Sequence, residues 1–343
     1  MARKKKVRLQ DIAEKTGFSI STISHFINKT RNIDEATQER IMEAILELGY
    51  QMPSKRRQFP MKTTLAVIVS DIRVDFFSEL IKELEVLAYE EGYQLIIMDS
   101  EENLEKEKLC LATMVNLRVS GLLIAPVSTK SDFSICSQLP IVQIDRKVDT
   151  GTYDFVGIDN MMTSYEMTKR LLQKGKSNIG LVTFSQDNFC ARERTKGYRL
   201  AMLEFDLFKE ENILVIEPDA DSNPTNLSRF LLSNPDMDTL LCTNSNICYE
   251  VLGKMKSLGR ANPIRFVSTF DNNKWLDHVS FPIDAITQPV TSIAMTAIEM
   301  LKNKIVDSQT MDIGRKIILN CTIEGRSSLF KEDGSEGPQV LNL

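Results

Sequence analysis

Histidine and tryptophan are scarce: His25, His278 and Trp275 are all that a chain of 343 residues holds. So thin a set offers no clustered His/Cys group of the kind zinc sites use, which argues against a metalloenzyme; neither a metal site nor a cofactor is expected. A Ser-His-Asp hydrolase would have to recruit His278 alone, and no G-x-S-x-G elbow accompanies it. The six cysteines, at positions 110, 136, 190, 242, 248 and 321, lack paired metal spacing and fall mostly in apolar surroundings, as buried thiols do. Long apolar runs are missing too. "TLAVIV" and "GLLIAPV" fall far short of the ~20 residues a spanning helix needs, and the basic N-terminus leads into an amphipathic stretch instead of a signal-peptide core. A cytoplasmic protein without a membrane partner is expected. Where a Gly-rich phosphate loop would follow the first strand stands "SDIRVDFF", which weakens any dinucleotide-binding or kinase reading. Carboxylate pairs for glycoside hydrolysis stay open, since strand-end acids can converge.

Charge is present but unevenly spread. Residues 1 to 62 hold 13 Lys/Arg against 7 Asp/Glu, a net of +6, and the remaining 281 residues carry a net of −11. A basic head on an acidic body predicts that only the head meets a polyanion. At 42% apolar composition the chain has material for roughly two to three domains.

The head reads "VRLQDIAEKTGFSISTISHFIN". Apolar residues at Leu9, Ile12 and Ala13, then Ile20, Ile23, Phe26 and Ile27, follow the i, i+3, i+4 spacing of two amphipathic helices. Gly17 supplies the turn between them, and Ser19 is placed to cap the second. A third helix is predicted from an Asp34 cap, with Ala36, Ile41, Ala44, Ile45 and Leu48 inward and Gly49 at its end. The pattern is that of a helix-turn-helix, in which a recognition helix lies in the major groove with short polar side chains at base edges. Ile20, Ser21, Thr22, Ser24 and His25 occupy its outer face. Periodicity alone does not separate this from another αα-hairpin.

"RLQDIAEKTGFSISTISHFIN" followed by "IDEATQERIMEAILELGYQ" resembles, along its whole length, the head of the lactose/galactose repressor (LacI/GalR) family of bacterial transcription regulators. The resemblance implies that Ile20 and Ser21 stand at the two main specificity positions, that His25 replaces an arginine that usually reads guanine, and that Ser19, Asn28 and Thr37 contact phosphates. An imidazole cannot make the forked guanidinium contact, so either a different half-site or a lower affinity is implied. "QMPSKRRQFPMKT", residues 51–63, corresponds to the family's hinge helix. There Lys55 and Arg57 would lie along the minor groove and Phe59 stands where a leucine wedges into it. Pro53, Lys55, Arg56 and Pro60 depart from the family pattern, which leaves a flexible basic linker as the alternative.

From Thr64 onward, β-branched runs alternate with helical stretches: "TLAVIVSD", "QLIIMDS", "GLLIAP", "IVQID", "NIGLVTF", "ILVIEP", "TLLCTN" and "IRFVSTF". Such alternation predicts an α/β architecture of parallel sheets, with ligands at the carboxyl ends of the strands, where Asp71, Asp145, Asp159, Asn244 and Asp271 fall. "VSGLLIAP", "FVGIDN", "ARERTKGYRLAM", "STFDNN" and "AITQPVTSIAMTAIEML" resemble the same family's sensor core, which shares the two-lobed fold of periplasmic sugar-binding proteins.

By that resemblance Phe77, Asp145, Arg194, Asn244, Asp271 and Gln288 line an effector cleft. Their forked donors, acceptors and one aromatic face suit a polyhydroxylated ligand. Arg73, Arg146, Arg192 and Arg194 together would make the cleft cationic and favour a sugar acid or sugar phosphate. Trp275, just past Asp271, either stacks on ligand or packs, with packing preferred. The organisation implied is a helix-turn-helix domain at 1–50, a hinge at 51–63, and a sensor at 64–330. Its first lobe spans about 64–158 and 289–316, its second about 159–288 and 317–330, and residues 331–343 form a tail with no coiled-coil zipper. The whole is expected to be a homodimeric repressor of a pseudo-palindromic double-stranded operator, controlled by a small sugar-like effector and without enzymatic activity. The rival is a sugar-binding or sugar-acting protein of the same fold without a DNA role.

Overall fold

The computed structural model describes residues 9–28, 33–48, 63–217, 221–279, 281, 283–306, 314–325 and 339–342. The chain divides into two compact units, Met1–Lys62 and Thr63–Leu343.

In the first unit α1 (Leu9–Thr16) stops where the Thr16 hydroxyl turns back to donate to the Ile12 carbonyl at 2.8 Å and Gly17 takes a φ of +74°. Only glycine adopts that φ without a Cβ penalty. The next helix, α2 (Ile20–Asn28), begins at Ser19, whose Oγ accepts from the Thr22 amide at 3.1 Å. Asp34 caps α3 (Glu35–Leu48) by accepting from the Thr37 amide at 3.0 Å, and that bond holds its carboxyl below the usual aspartate range. Ile12, Ile23, Ile41, Ala44 and Ile45 are buried together, flanked by Leu9, Ala13, Phe18, Phe26 and Leu48. The three-helix head expected from periodicity is formed; the Ile27 and Ala36 side chains lie outside the described residues.

The second unit holds two sheets. One comprises β1 (Thr64–Val69), β2 (Gln94–Asp99), β3 (Gly121–Ile124), β4 (Ile141–Ile144), β5 (Asp154–Ile158) and β11 (Lys316–Leu319), all parallel, in the order β11-β5-β4-β3-β1-β2. Helices α4 (Asp75–Glu90), α5 (Leu104–Leu117) and α10 (Val290–Val306) cover it. The other contains β6 (Ile179–Thr183), β7 (Ile213–Val215), β8 (Thr239–Cys242), β9 (Phe266–Phe270), β10 (Ile283–Thr287), β12 (Thr322–Gly325) and β13 (Gln339–Asn342). Its helices are α6 (Asn160–Gln173), α7 (Phe189–Glu204), α8 (Asn223–Ser233) and α9 (Ser245–Leu258). This sheet is parallel through five strands and ends antiparallel at β12 and β13.

Two boundaries differ from expectation. Because β11 pairs with β5, the third crossing between lobes falls after Leu319 rather than at 316/317. The last strand, β13, pairs with β12, so the segment taken as a tail contributes an edge to the second sheet. The chain crosses between lobes at three points, after β5, after β10 and after β11, and such a triple connection permits the lobes to open and close as rigid bodies. One apolar core runs through both, joining Leu65, Leu80 and Leu123 to Leu181, Tyr198 and Leu241. All six cysteines are buried free thiols, as their apolar surroundings predicted.

Candidate effector cleft and DNA-reading helix

On α2 the side chains predicted to read bases sit at the surface. Ile20 is 47% exposed, a large apolar residue held in solvent. Ser21 is exposed, while Thr22, Ser24 and His25 are half-buried beside the core residue Ile23. The Ser19, Ser21 and Thr22 hydroxyls share hydrogen bonds at 2.7 and 2.9 Å, grouping them at the N-terminus of α2, where the helix dipole favours an anion. Thr37 lies in the first turn of α3. The Asn28 side chain and the hinge residues Lys55, Arg57 and Phe59 lie outside the described residues.

In the second unit, Phe77, Asp145, Arg194, Asn244, Asp271 and Gln288 line one cavity between the lobes. Asp145 follows β4 and Asp271 follows β9, and both are in the left-handed region, with φ of 61° and 67°. Aspartate is among the few non-glycine residues that tolerate this backbone, and such positions concentrate at functional sites. Both carboxylates are buried, and burial raises both carboxyls above the usual aspartate value. Arg146 and Arg194 oppose the rise at Asp145, and Arg194 opposes it at Asp271.

Arg194, on α7 and only 4% exposed, stands between them. Its Nε donates to Asn160 Oδ1 at 2.7 Å, one Nη donates to the Thr243 carbonyl, and its guanidinium stacks 3.8 Å above the Phe270 ring. Gln288 gives its Nε2 hydrogen to Asp271 at 2.6 Å, which leaves its Oε1 buried without a hydrogen-bond partner; the Ser245 hydroxyl is likewise unpartnered. Asn244 caps α9 by accepting from the Ile247 amide at 2.8 Å. Phe77 presents its ring to Arg146, whose guanidinium carbon lies 5.4 Å away. Such unpartnered buried polar groups suit hydrogen bonds from a ligand.

The cationic cleft expected from four arginines does not form. Arg73 is forked onto Asp71 at 2.8 to 3.1 Å, Arg146 onto Glu102 at 2.8 and 2.9 Å, and Arg192 onto Asp149 at 2.6 and 2.7 Å. Of the four, Arg194 has no carboxylate in ion-pair contact among the described residues. Trp275 packs against the second lobe's core and meets Tyr249 edge to face at 5.8 Å, as the preference for packing predicted.

Sequence reasoning missed Cys190 and Asn160. The Cys190 thiol faces the Asp145 carboxylate at 3.5 Å from inside the cavity, and burial pushes it up strongly. Its signal was position, two residues before Arg192 and four before Arg194. Asn160 opens α6 immediately after the strand-end acid Asp159. The free space within the cleft is about 30 Å³, room for water but not for a sugar ring. A ring-sized ligand therefore requires the lobes to part. Lys130 to Asp187 at 2.8 Å and Arg192 to Asp149 bind the lobes across the rim, joined by Asn273 donating to Asp75.

A helix-turn-helix joined to a two-lobed, inter-lobe binding core defines a ligand-responsive, DNA-binding transcription regulator. Residues 8–53 match the family model of bacterial regulatory proteins of the lacI family, and residues 62–305 match that of periplasmic binding proteins and the sugar binding domain of the LacI family. The chain belongs to the LacI family. Members bind DNA operators and small-molecule effectors and form dimers. It is similar to the HTH-type transcriptional repressor PurR of Aliivibrio fischeri, 29% identical over 309 residues, covering 87% of this chain and 92% of that protein. In fold it is similar to the transcriptional regulator CelR in complex with cellobiose, with TM-score 0.69 and 22% identity over 94% of this chain and 99% of the other. The Cra regulator from Pseudomonas putida in complex with fructose 1-phosphate gives TM-score 0.67 and 22% identity over 77% and 99%. These relatives are regulators, not enzymes, and among the described residues no helix is long and apolar enough to cross a membrane.

Proposed function

We propose that the protein is a cytoplasmic repressor without catalytic activity, released from or delivered to its operator by a sugar-like effector bound between the lobes. The observation that carries this reading is the convergence of six residues, from six separate stretches of sequence, on one inter-lobe cavity. Asp145, Asp271 and Gln288 Oε1 offer acceptors to ligand hydroxyls, Arg194 and Asn244 offer donors, and Phe77 packs on the ligand's C–H surface. With three of the four arginines already paired, an uncharged polyol fits better than an anion. A cellobiose-bound and a fructose 1-phosphate-bound neighbour bracket that choice. On the DNA side, Ile20, Ser21, Thr22, Ser24 and His25 read base edges, while Ser19, Asn28 and Thr37 contact phosphates. Lys55, Arg57 and Phe59 engage the minor groove, and two copies of the head span the pseudo-palindrome.

The test is operator affinity. Duplex selection supplies the operator, and a thermal-shift screen of sugars, sugar acids and sugar phosphates supplies the effector. Ser21→Ala and His25→Ala should relax base preference at defined half-site positions by about 1–3 kcal/mol each. Arg194→Ala should keep operator affinity yet lose the effector response, because removing a buried charged donor costs about ten-fold to over a hundred-fold in ligand affinity. An Arg194→Ala protein that responds like wild type removes this cleft from the reading.

A further inference from the structure

Beside the effector cleft, at the crossing between lobes, lies a second cavity of about 330 Å³. Its floor is aromatic and joins the lobes: Phe155 of β5 and Phe189 of α7 meet edge to face at 6.0 Å. Lys147 stands over both rings, its ammonium 5.7 Å from the Phe155 centroid and 5.2 Å from that of Phe189. Lys316, the first residue of β11, lines the same space.

Among the described residues neither lysine has a carboxylate in ion-pair contact, although acids stand in the wall. Each of those acids is already engaged: Asp149 with Arg192, Glu193 with Lys196 at 2.8 Å, and Asp159 with the Met162 amide at 2.9 Å as the cap of α6. The Lys147 ammonium titrates below its ordinary value, because of burial first and Lys316 second. Lys147, half-buried above the apolar floor, and the exposed Lys316 make no direct ion pair with these acids, whose pull on Lys147 is outweighed by burial and by its cationic neighbours.

Asn160 connects this pocket to the effector cleft. It is 2% exposed, and it lines this cavity. An arginine can only donate, so the bond from Arg194 Nε fixes the amide oxygen toward Arg194 and turns the amide nitrogen away. That Nδ2 is buried and has no hydrogen-bond partner.

We propose that this crossing pocket binds a small phosphate-bearing ligand whose oxygens bridge Lys147 and Lys316. The site is distinct from the effector cleft. It spans both lobes, Lys147 and Lys316 on the first and Asn160 on the second, so occupancy favours their closed arrangement. Asn160 also holds Arg194, so the two sites are coupled, and by linkage each ligand alters the other's affinity by the same factor.

The test uses the full chain and calorimetric titration with inorganic phosphate and pyrophosphate, ionic strength being fixed with chloride. Saturable binding at one site per chain is expected. Lys147→Gln and Lys316→Gln should each weaken it by about tenfold or more, the usual consequence of losing a charge-assisted contact. Lys302→Gln, whose ammonium is paired with Glu91 at 2.7 Å outside this pocket, should leave it unchanged. If neither anion binds saturably, or if both lysine variants bind as wild type does, the pocket is not an anion site. The two lysine variants are independent, so misfolding of one leaves the other to decide.

Discussion

Replacing Arg194 by Met removes the charge that faces both buried aspartates while keeping a long, flexible side chain. Two hydrogen bonds are lost, to Asn160 Oδ1 and the Thr243 carbonyl, together with the stacking on Phe270. Leaving buried acceptors unsatisfied costs about 1–3 kcal/mol. Asp145 and Asp271 lose the positive neighbour that opposes their raised carboxyls. Breaking a buried charged set in this way typically destabilises by about 3–5 kcal/mol. Neutralising one acid in the same chain should recover part of that loss, so Arg194→Met/Asp271→Asn should be more stable than the sum of its singles by about 1–3 kcal/mol. The pH dependence has a defined sign. Both folded-state carboxyls lie above the ordinary aspartate value of 3.8, so between 3.8 and the raised value the folded protein binds protons that the unfolded chain releases, and stability falls as pH rises through that window. With Arg194 gone the window widens upward, and the variant should gain more stability than wild type on acidification from pH 7. Urea unfolding of the four proteins across pH measures both effects. Additive free energies, or pH profiles that superimpose, would refute the idea that Arg194 compensates these acids.

Two further substitutions probe the same unit. Asp145→Asn keeps a residue type that tolerates the positive φ and removes a buried charge that its neighbours only partly offset; it should raise effector-free stability at pH 7 by about 1 kcal/mol, roughly 2 °C, with the gain fading as pH falls toward 3.8. A thermal scan showing a lower midpoint at pH 7 would count against it. Gly197→Ala would drive a methyl group into the Met161 carbonyl of α6, a backbone clash worth about 3 kcal/mol, whereas Gly253→Ala, with open space around it, should gain about 0.5–1 kcal/mol; equal midpoints for the two variants would contradict the close approach of α6 and α7.

The head was legible almost residue by residue, because its helices carry local signals: Gly17 at a positive φ, Ser19 and Asp34 as caps, and an apolar stripe ending in Ile12, Ile23 and Ile41. The cleft lining was legible through resemblance rather than pattern. No spacing rule brings Phe77 to Gln288; the parallel sheets do so by placing strand ends side by side. The alternation left out β5 and β10 to β13: β5, β10 and β11 each end at a lobe crossing, and β12 and β13 pair antiparallel at an edge of the second sheet. The arginine pairings were illegible for a different reason. Arg146 meets a glutamate 44 positions earlier and Arg192 an aspartate 43 positions earlier, across loops whose course only the fold determines.

Those pairings also bear on how a small ligand moves the lobes. Across the rim, closure rests on Lys130 with Asp187 and on Arg192 with Asp149; the first pair is well exposed, at 72% and 59%, and exposed ion pairs contribute about 0–1 kcal/mol. Inside, two buried carboxylates work against the empty closed state, each with its carboxyl raised by burial. Weak rim contacts set against an interior penalty leave the apolar core shared by the two lobes as the main support of the empty closed arrangement. A ligand whose hydroxyls satisfy Asp145, Asp271 and Gln288 removes the penalty only when the lobes close on it, and that difference in affinity between the two arrangements is the quantity that shifts a population. A ligand that bound one lobe equally well in both states would occupy the site and change nothing.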